Sequence, residues 1–316
     1  MKKRISGISG NSDLDNEIHA LSSASKPISG WVARDGIQEC REACGGHGYL
    51  KASGLGDLRN DNDANCTYDG ENHVLIQQTS NWLLKFWPQV LERQVISSPL
   101  HSVDFLTNGM QILNTKFTAK TINDLIMPEN IISIYQWLVC YLLKITYNKY
   151  IKITYNKYKN NIKKGMDPFT AKNDIQVFYS RSLGIAYIQH FALSIMYEKI
   201  QGATDQPIKN VLLKLLSLYG LYSIEKQHVA VMFQGGYANG KEPVNLIQYA
   251  ILHLCSEIKG DAVALVDTIA PPDFLLNSVL GASDGQVYHH LQSSFFQSAY
   301  CMTRPRWWSD IIQAKL

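Results

Sequence analysis

Six cysteines and the adjacent histidines His289 and His290 are among the side chains whose types could do chemistry. Cys40 and Cys44 are four residues apart, which suits neighbours on one helical turn, but no CxxC pair is present and a zinc site is poorly supported. His289 and His290 are adjacent and would point in different directions on a helix, so they make a poor metal pair. The sequence also has no glycine-rich phosphate loop, nucleophile elbow or HExxH motif. We therefore predict no metal site, and cysteines that stay reduced inside a cell.

Composition sets broad limits on the class of protein. Hydrophobic residues make up 46% of the 316 residues and charged residues 18%, so a sizeable core can be buried. The net charge of +3 gives no electrostatic case for binding nucleic acid. No window reaches the roughly 18 uninterrupted apolar residues of a transmembrane helix, and the first ten residues do not resemble a secretory signal. We expect neither a nucleic-acid partner nor a membrane span.

Apolar residues recur at helical spacing along most of the chain, while strand-like alternation is scarce, so the predicted fold class is all-α. Five glycines and many Asn and Asp residues predict a loop over 45–66. We expect a first domain over 1–100, a linker over 101–125 and a second helical domain over 126–316. The predicted helices cover 15–43, with an interruption at Pro27, then 72–91, 130–149, 174–199, 209–233, 243–270, broken near Lys259-Gly260, and about 287–302.

An eight-residue unit occurs twice in tandem, at 144–151 and at 152–159, and its two copies differ only at the last position, Ile151 against Lys159. Solenoid repeats are typically 20 to 45 residues long, so this pair does not indicate a solenoid. We interpret it as a local duplication that lengthens a helix or its loop. A basic, tyrosine-rich patch for RNA is the alternative interpretation.

Long motifs carry a resemblance to a known family. The segments QECREACGGHGY (38–49) and NCTYDGENHVLIQQT (65–79) resemble the signatures of peroxisomal acyl-CoA oxidases. HALSSASKP (19–27), QGGY (234–237) and APPDFLLNSVLGASDG (270–285) are similar to further parts of that family. The sequences of these motifs are most similar to those of the branched-chain, pristanoyl-type oxidases.

The resemblance implies a fold and a reaction. It places the chain in the C-terminal helical domains of the acyl-CoA oxidase/dehydrogenase fold, with the N-terminal helical domain and the flavin-covering β domain missing. The family oxidises an acyl-CoA substrate with O2 to a trans-2-enoyl-CoA and H2O2, uses FAD, and forms a dimer with flavin contacts across the interface. Because no stretch here matches the domains that hold the flavin ring, we expect this chain alone to bind FAD weakly or not at all, and to have impaired activity or none.

The resemblance also implies a general base. In the family the base is the Glu of an aromatic-Glu-Gly triplet, which corresponds here to Tyr68-Asp69-Gly70. Asp69 keeps the carboxylate but is shorter by one methylene, about 1.5 Å. Asp69 is the candidate base, Glu71 is its rival, and Tyr68 and Gly70 are expected to lie against substrate. An alternative interpretation makes Asp69 the N-cap of a helix that begins at Asn72.

A second group of residues is expected near the cofactor. Gly45, Gly46, His47, Gly48 and Tyr49 resemble the turn that approaches the flavin's diphosphate and adenosine from the partner subunit. Bare glycines let a backbone approach phosphate closely. The alternative is a simple helix C-cap, and we expect a double role because a cap explains one glycine and not three. His47 is expected to make local contacts rather than act as a base.

The last tripeptide is Ala314-Lys315-Leu316, a variant of the Ser-Lys-Leu peroxisomal address. It predicts a peroxisomal location and a peroxisomal import receptor as a partner. The family resemblance also implies a homodimer or a dimer with a full-length oxidase. The alternative function is a non-catalytic helical dimerisation module derived from an oxidase.

Overall fold

The structure is a computed structural model that describes residues 12–149, 160, 163, 180–297 and 299–313. These residues form α-helices joined by turns and short 3-10 helices, and the described ranges contain no β-strand, so the all-α prediction is confirmed. The α-helices are α1 (Ser12–Ala43), α2 (Leu55–Asp63), α3 (Asn72–Leu83), α4 (Trp87–Leu91), α5 (Gly109–Ile112), α6 (Ile122–Leu125), α7 (Pro128–Lys149), α8 (Ser180–Gln201), α9 (Gln206–Gln227), α10 (Val229–Gln234), α11 (Glu242–Ile258), α12 (Ala262–Asp267), α13 (Asp273–Leu276), α14 (Val287–Phe296) and α15 (Trp308–Gln313).

Helix α1 is one continuous helix of 32 residues, although Pro27 predicted an interruption. Its apolar stripe of Ala20, Leu21, Ala24 and Trp31 is buried. Burial of such a stripe supplies most of the stability of a protein helix, so packing outweighs the one backbone hydrogen bond that proline removes.

The prediction of a loop over 45–66 is wrong. The segment forms the 3-10 helices Gly45–Tyr49, Lys51–Ser53 and Ala64–Cys66, with α2 between the second and the third. No residue of α2 is buried, which explains why its Asp- and Asn-rich sequence has the composition of a loop. The helical turns there are short and carry no apolar periodicity that sequence could reveal.

The chain divides into two compact units. The first comprises Met1–Ser29 and Asp69–Val263. In it, α7 packs along α8, α8 also packs on α3 and α9, and α9 packs on α11. Trp137 and Tyr135 of α7 and Tyr187 of α8 are almost wholly buried in this core. The Tyr135 hydroxyl donates to the carbonyl of Gly220 on α9 at 3.0 Å, which satisfies a buried polar group.

The second unit comprises Gly30–Tyr68 and Ala264–Leu316. Its two segments are joined by backbone contacts: Val279 N donates to Ala52 O at 3.0 Å, and Ser278 Oγ donates to Ser53 O at 2.5 Å. Large apolar side chains on α13, α14 and the segment that follows are exposed, among them Phe274, Tyr288, Phe295, Phe296, Tyr300 and Met302.

The structure describes only some of the residues on which the other predictions depend. The break predicted near Lys259-Gly260 is confirmed, because α11 ends at Ile258 and α12 begins at Ala262. The linker predicted over 101–125 lies within the first unit, and the domain boundary there stays a prediction. Residues 150–159 of the tandem repeat and residues 314–316 lie outside the described residues. Within the described helices, none is long and apolar enough to cross a membrane.

Candidate functional site

The segment before α3 turns sharply at two consecutive residues. Asp69 has φ +53° and Gly70 has φ +111°, so both adopt left-handed backbone. Asp is one of the few non-glycine residues that occupy this region routinely. Gly70 is also crowded, because a Cβ there would lie 2.9 Å from Cδ2 of Leu75. The turn presents the Asp69 side chain at the surface of its unit.

Glu71, not Asp69, is the N-cap of α3. Its Oε2 accepts a hydrogen bond from the backbone N–H of Val74 at 3.0 Å, and its Oε1 lies 2.8 Å from Nδ1 of His73. The alternative that made Asp69 the cap is therefore wrong. Burial disfavours the charged form of Glu71, but the hydrogen bonds from the His73 side chain and from the backbone outweigh it and hold the pKa of Glu71 below its usual value.

The Asp69 carboxylate differs from that of Glu71. In the part of the chain that the structure describes, no hydrogen bond or ion pair engages the Asp69 side chain, which is exposed. The Glu71 carboxylate thus caps α3, whereas the Asp69 carboxylate makes no hydrogen bond or ion pair within the described residues.

Lys26 of α1 is a residue at this turn that sequence reasoning did not single out. Its Nζ donates to the carbonyl of Gly70 at 2.6 Å and to Oδ1 of Asn72 at 2.7 Å. The one available signal was its place in the HALSSASKP motif, and motif membership does not say what a lysine holds.

The glycine-rich turn lies in the second unit and forms a 3-10 helix over Gly45–Tyr49. Gly45 has φ +57° and ends α1, as the C-cap alternative required. Gly48 is buried, and a Cβ there would lie 2.0 Å from the carbonyl oxygen of Arg41. Gly46 is different, since a Cβ added to it would meet nothing within 4 Å. Local structure therefore requires two of the three glycines and leaves Gly46 unexplained.

The side chains around this turn are held locally. Arg41 donates from Nε to the carbonyl of Gly48 at 3.2 Å, and its guanidinium lies 4.9 Å from the ring centroid of Tyr49. His47 is half-buried and makes an edge-to-face contact with Tyr288, with ring centroids 5.9 Å apart. Tyr68, in the same unit, is about half exposed and donates its hydroxyl to Asn65. Of the residues predicted near cofactor and substrate, Gly70 lies with Asp69 in the first unit, and the others lie in the second.

Two models of known families match this chain. The model described as "Acyl-CoA oxidase, C-alpha1 domain" matches residues 1–84, and the model described as "Acyl-CoA oxidase" matches residues 127–316. The chain belongs to the acyl-CoA oxidase family. The resemblance of the sequence motifs to this family is thereby confirmed.

Relatives within the acyl-CoA oxidase family match along nearly the whole chain. Human peroxisomal acyl-coenzyme A oxidase 3 is 43% identical over 94% of this chain and 42% of its own length. Acyl-coenzyme A oxidase acox-3 of Caenorhabditis elegans is 35% identical over 96% of this chain and 42% of its own length. The chain therefore spans about two fifths of the length of the relatives it matches. Several of them are named peroxisomal, which confirms the predicted location at the level of the family.

Solved structures of acyl-CoA oxidases share the fold. Arabidopsis thaliana acyl-CoA oxidase 1 superposes with a TM-score of 0.81 at 24% identity, covering 94% of this chain and 43% of the other. Acyl-CoA oxidase-1 of Caenorhabditis elegans, solved with FAD and ATP, superposes with a TM-score of 0.76 at 24% identity, covering 95% of this chain and 43% of the other. At this identity the likeness shows the helical fold alone.

Proposed function

We propose that this chain serves the acyl-CoA oxidase reaction of peroxisomal fatty-acid β-oxidation, in which an acyl-CoA and O2 give a trans-2-enoyl-CoA and H2O2. Family membership supports the reaction class. Because the chain spans about two fifths of its relatives' length, we expect little activity from it alone. The reaction would proceed where the other parts of an oxidase are also present.

In this proposal Asp69 removes the α-proton of the acyl thioester. That proton is weakly acidic, so its removal needs a base within hydrogen-bond reach. The observation that carries the assignment is the free carboxylate of Asp69 beside the occupied carboxylate of Glu71. The shorter side chain has a cost, because a misplacement of about 1 Å can slow a reaction by roughly 10²-fold.

The open backbone at Gly46 fits a flavin diphosphate. The residues that would hold it are those of the Gly45–Tyr49 turn, where Gly46 leaves room for a phosphate to approach the chain closely. FAD, when bound in such an oxidase, supplies the acceptor for the β-hydride. The chain's own part would be to seat the diphosphate through backbone groups, with the Arg41 side chain bracing the turn through the carbonyl of Gly48.

The base assignment is tested in a chimera that joins the full chain to the preceding domains of a related oxidase, with peroxide release from an acyl-CoA as the assay. We expect low but measurable turnover with Asp69, higher turnover with Asp69→Glu, and almost none with Asp69→Ala. Glu71→Gln should lose little, because an amide oxygen can still cap α3. The assignment fails if Glu71→Gln abolishes peroxide release while Asp69→Ala does not.

We also propose that the tripeptide Ala314-Lys315-Leu316 binds a peroxisomal import receptor. A fluorescent reporter that carries residues 305–316 should accumulate in peroxisomes, and the same reporter without Leu316 should remain in the cytosol. A reporter with the full tail that stays in the cytosol would refute the proposal.

A second function, a non-catalytic dimerisation module, is favoured by the exposed apolar surface of the second unit. Phe274 is 80% exposed, Tyr288 is 78% exposed and Met302 is 84% exposed. Clusters of large exposed apolar side chains usually mark an interface. The partner would be a second copy of this chain or a full-length oxidase.

A further inference from the structure

The turn that carries Asp69 needs support from outside itself. Two consecutive residues with positive φ are uncommon, and the left-handed region costs a non-glycine residue roughly 1 kcal/mol. On the C-terminal side, Glu71 fixes the turn to the start of α3 through Val74. Such a turn keeps one geometry only when the surrounding structure determines it.

Lys26 supplies support from a different helix. Its ammonium group has three donors, and two of them are committed to this turn, one to the carbonyl of Gly70 and one to the side chain of Asn72. Asn72 is wholly buried at the first position of α3, so its Oδ1 is a fixed point rather than a mobile surface group. The lysine therefore ties the residue immediately after Asp69 to the helix that follows.

We propose that Lys26 is a positioning residue, which holds the Gly70 peptide so that the Asp69 carboxylate keeps one direction. This inference rests on the proposed role of Asp69 as the base. A hydrogen bond from a charged donor is stronger than one between neutral groups, which suits a contact that must hold a strained turn. Lys26 acts through the backbone and touches no reacting atom.

The test uses the full chain and three variants. Lys26→Met removes both hydrogen bonds and keeps the length of the apolar stem, and Lys26→Arg restores a charged donor. Lys116→Met is the matched control, because Lys116 Nζ donates at 2.6 Å to the carbonyl of Gly236, another glycine with positive φ. The readout is amide hydrogen exchange at Val74 and Leu75, whose N–H groups donate to the carbonyl of Glu71, with the midpoint of thermal unfolding measured alongside.

We expect Lys26→Met to speed exchange at the Val74 and Leu75 amides by about 10-fold or more, as the loss of a charged hydrogen bond implies. Lys26→Arg should recover most of the protection, and Lys116→Met should leave these amides unchanged. Unchanged exchange at Val74 and Leu75 in Lys26→Met would overturn the proposal. So would an equal effect of Lys116→Met, because the loosening would then be general.

A kinetic arm separates this inference from the proposed function. In the oxidase chimera, Lys26→Met should lower kcat by about 10-fold while KM changes by less than about 2-fold, since the carboxylate is misdirected and the remaining contacts to substrate persist. If Asp69→Ala leaves peroxide release intact, the base assignment fails even where the exchange result stands. If Asp69→Ala abolishes turnover and Lys26→Met leaves kcat unchanged, only the positioning role fails.

Discussion

At the scale of single residues, the two neighbouring acids have separate tasks. The Glu71 carboxylate satisfies backbone N–H groups at the start of α3, whereas the Asp69 carboxylate is exposed and unengaged in the described chain. Both side chains are carboxylates, and their spacing in the sequence does not show which one caps the helix and which one is exposed. The distinction arises from the left-handed turn between them, because it directs one side chain back to the helix and the other outward.

The cap makes a prediction about stability. Glu71→Ala should lower the free energy of unfolding by about 0.5–1 kcal/mol, and Glu71→Gln by less, because the amide oxygen can still accept from Val74. The folded-state pKa of Glu71 is lowered, so its contribution is complete above the usual glutamate pKa of 4.5 and is lost as the pH falls below it. Chemical denaturation of wild type and Glu71→Ala at several pH values measures this difference. A difference between them that grows on acidification would contradict the prediction.

At the scale of elements, the pairing of α8 with the end of α9 encloses two histidines. His190 on α8 and His228 after α9 are buried, and burial lowers the pKa of each to about 4. His228 Nε2 lies 2.7 Å from Oε1 of Gln189, and the ring centroid of His190 lies 4.4 Å from that of Phe105. Both rings are therefore neutral in the folded chain near pH 7.

These histidines should make the first unit sensitive to acid. Unfolding restores the usual pKa of 6.5, so the unfolded chain binds more protons, and stability is complete above pH 6.5 and falls between pH 6.5 and about 4. Each histidine should contribute a slope of up to about 1.4 kcal/mol per pH unit. His190→Leu and His228→Gln should each remove one such slope from the pH dependence of unfolding. A pH dependence that neither variant alters would refute this account.

Helix periodicity predicted the long helices but missed the segment over 45–66 and the short helices α5, α6, α13 and α15. The helices α3, α7, α9 and α11 bury apolar faces, and such faces repeat visibly along a sequence. Helix α2 has no buried residue, so its sequence carries no such repeat. The positions of Asp69 and Gly45 were found through motifs, whereas their tasks depend on φ angles and on contacts between distant segments, such as that of Lys26 with Gly70. The local sequence predicts neither the φ angles nor these contacts.

At the scale of the whole molecule, exposed apolar side chains gather in the second unit. They lie on α13 and α14 and in the segment up to α15, where Phe274, Tyr288 and Met302 are largely exposed. Burial of such side chains is worth roughly 1.5–3 kcal/mol each, which favours association.

We therefore expect the purified chain to form a dimer or a larger species at micromolar concentration. Size-exclusion chromatography with light scattering measures the molar mass directly. Phe274→Asp with Tyr288→Asp should shift the equilibrium towards the monomer if this surface is the interface. The matched control is Val95→Asp, since Val95 is 85% exposed and lies in the first unit. A wild-type chain that runs as a clean monomer would contradict the prediction.

The left-handed backbone at Asp69 has an evolutionary consequence. Selection for folding alone would let that position drift towards glycine or asparagine, which adopt positive φ most easily. Glutamate has the longer side chain but adopts positive φ less favourably. Aspartate therefore has the shorter reach and the lower backbone strain at this position. The residue at position 69 in orthologous sequences therefore indicates which kind of selection acted on each lineage. Retention of an acid there would mark a lineage still selected for proton removal, and glycine or asparagine would mark one kept only for its fold.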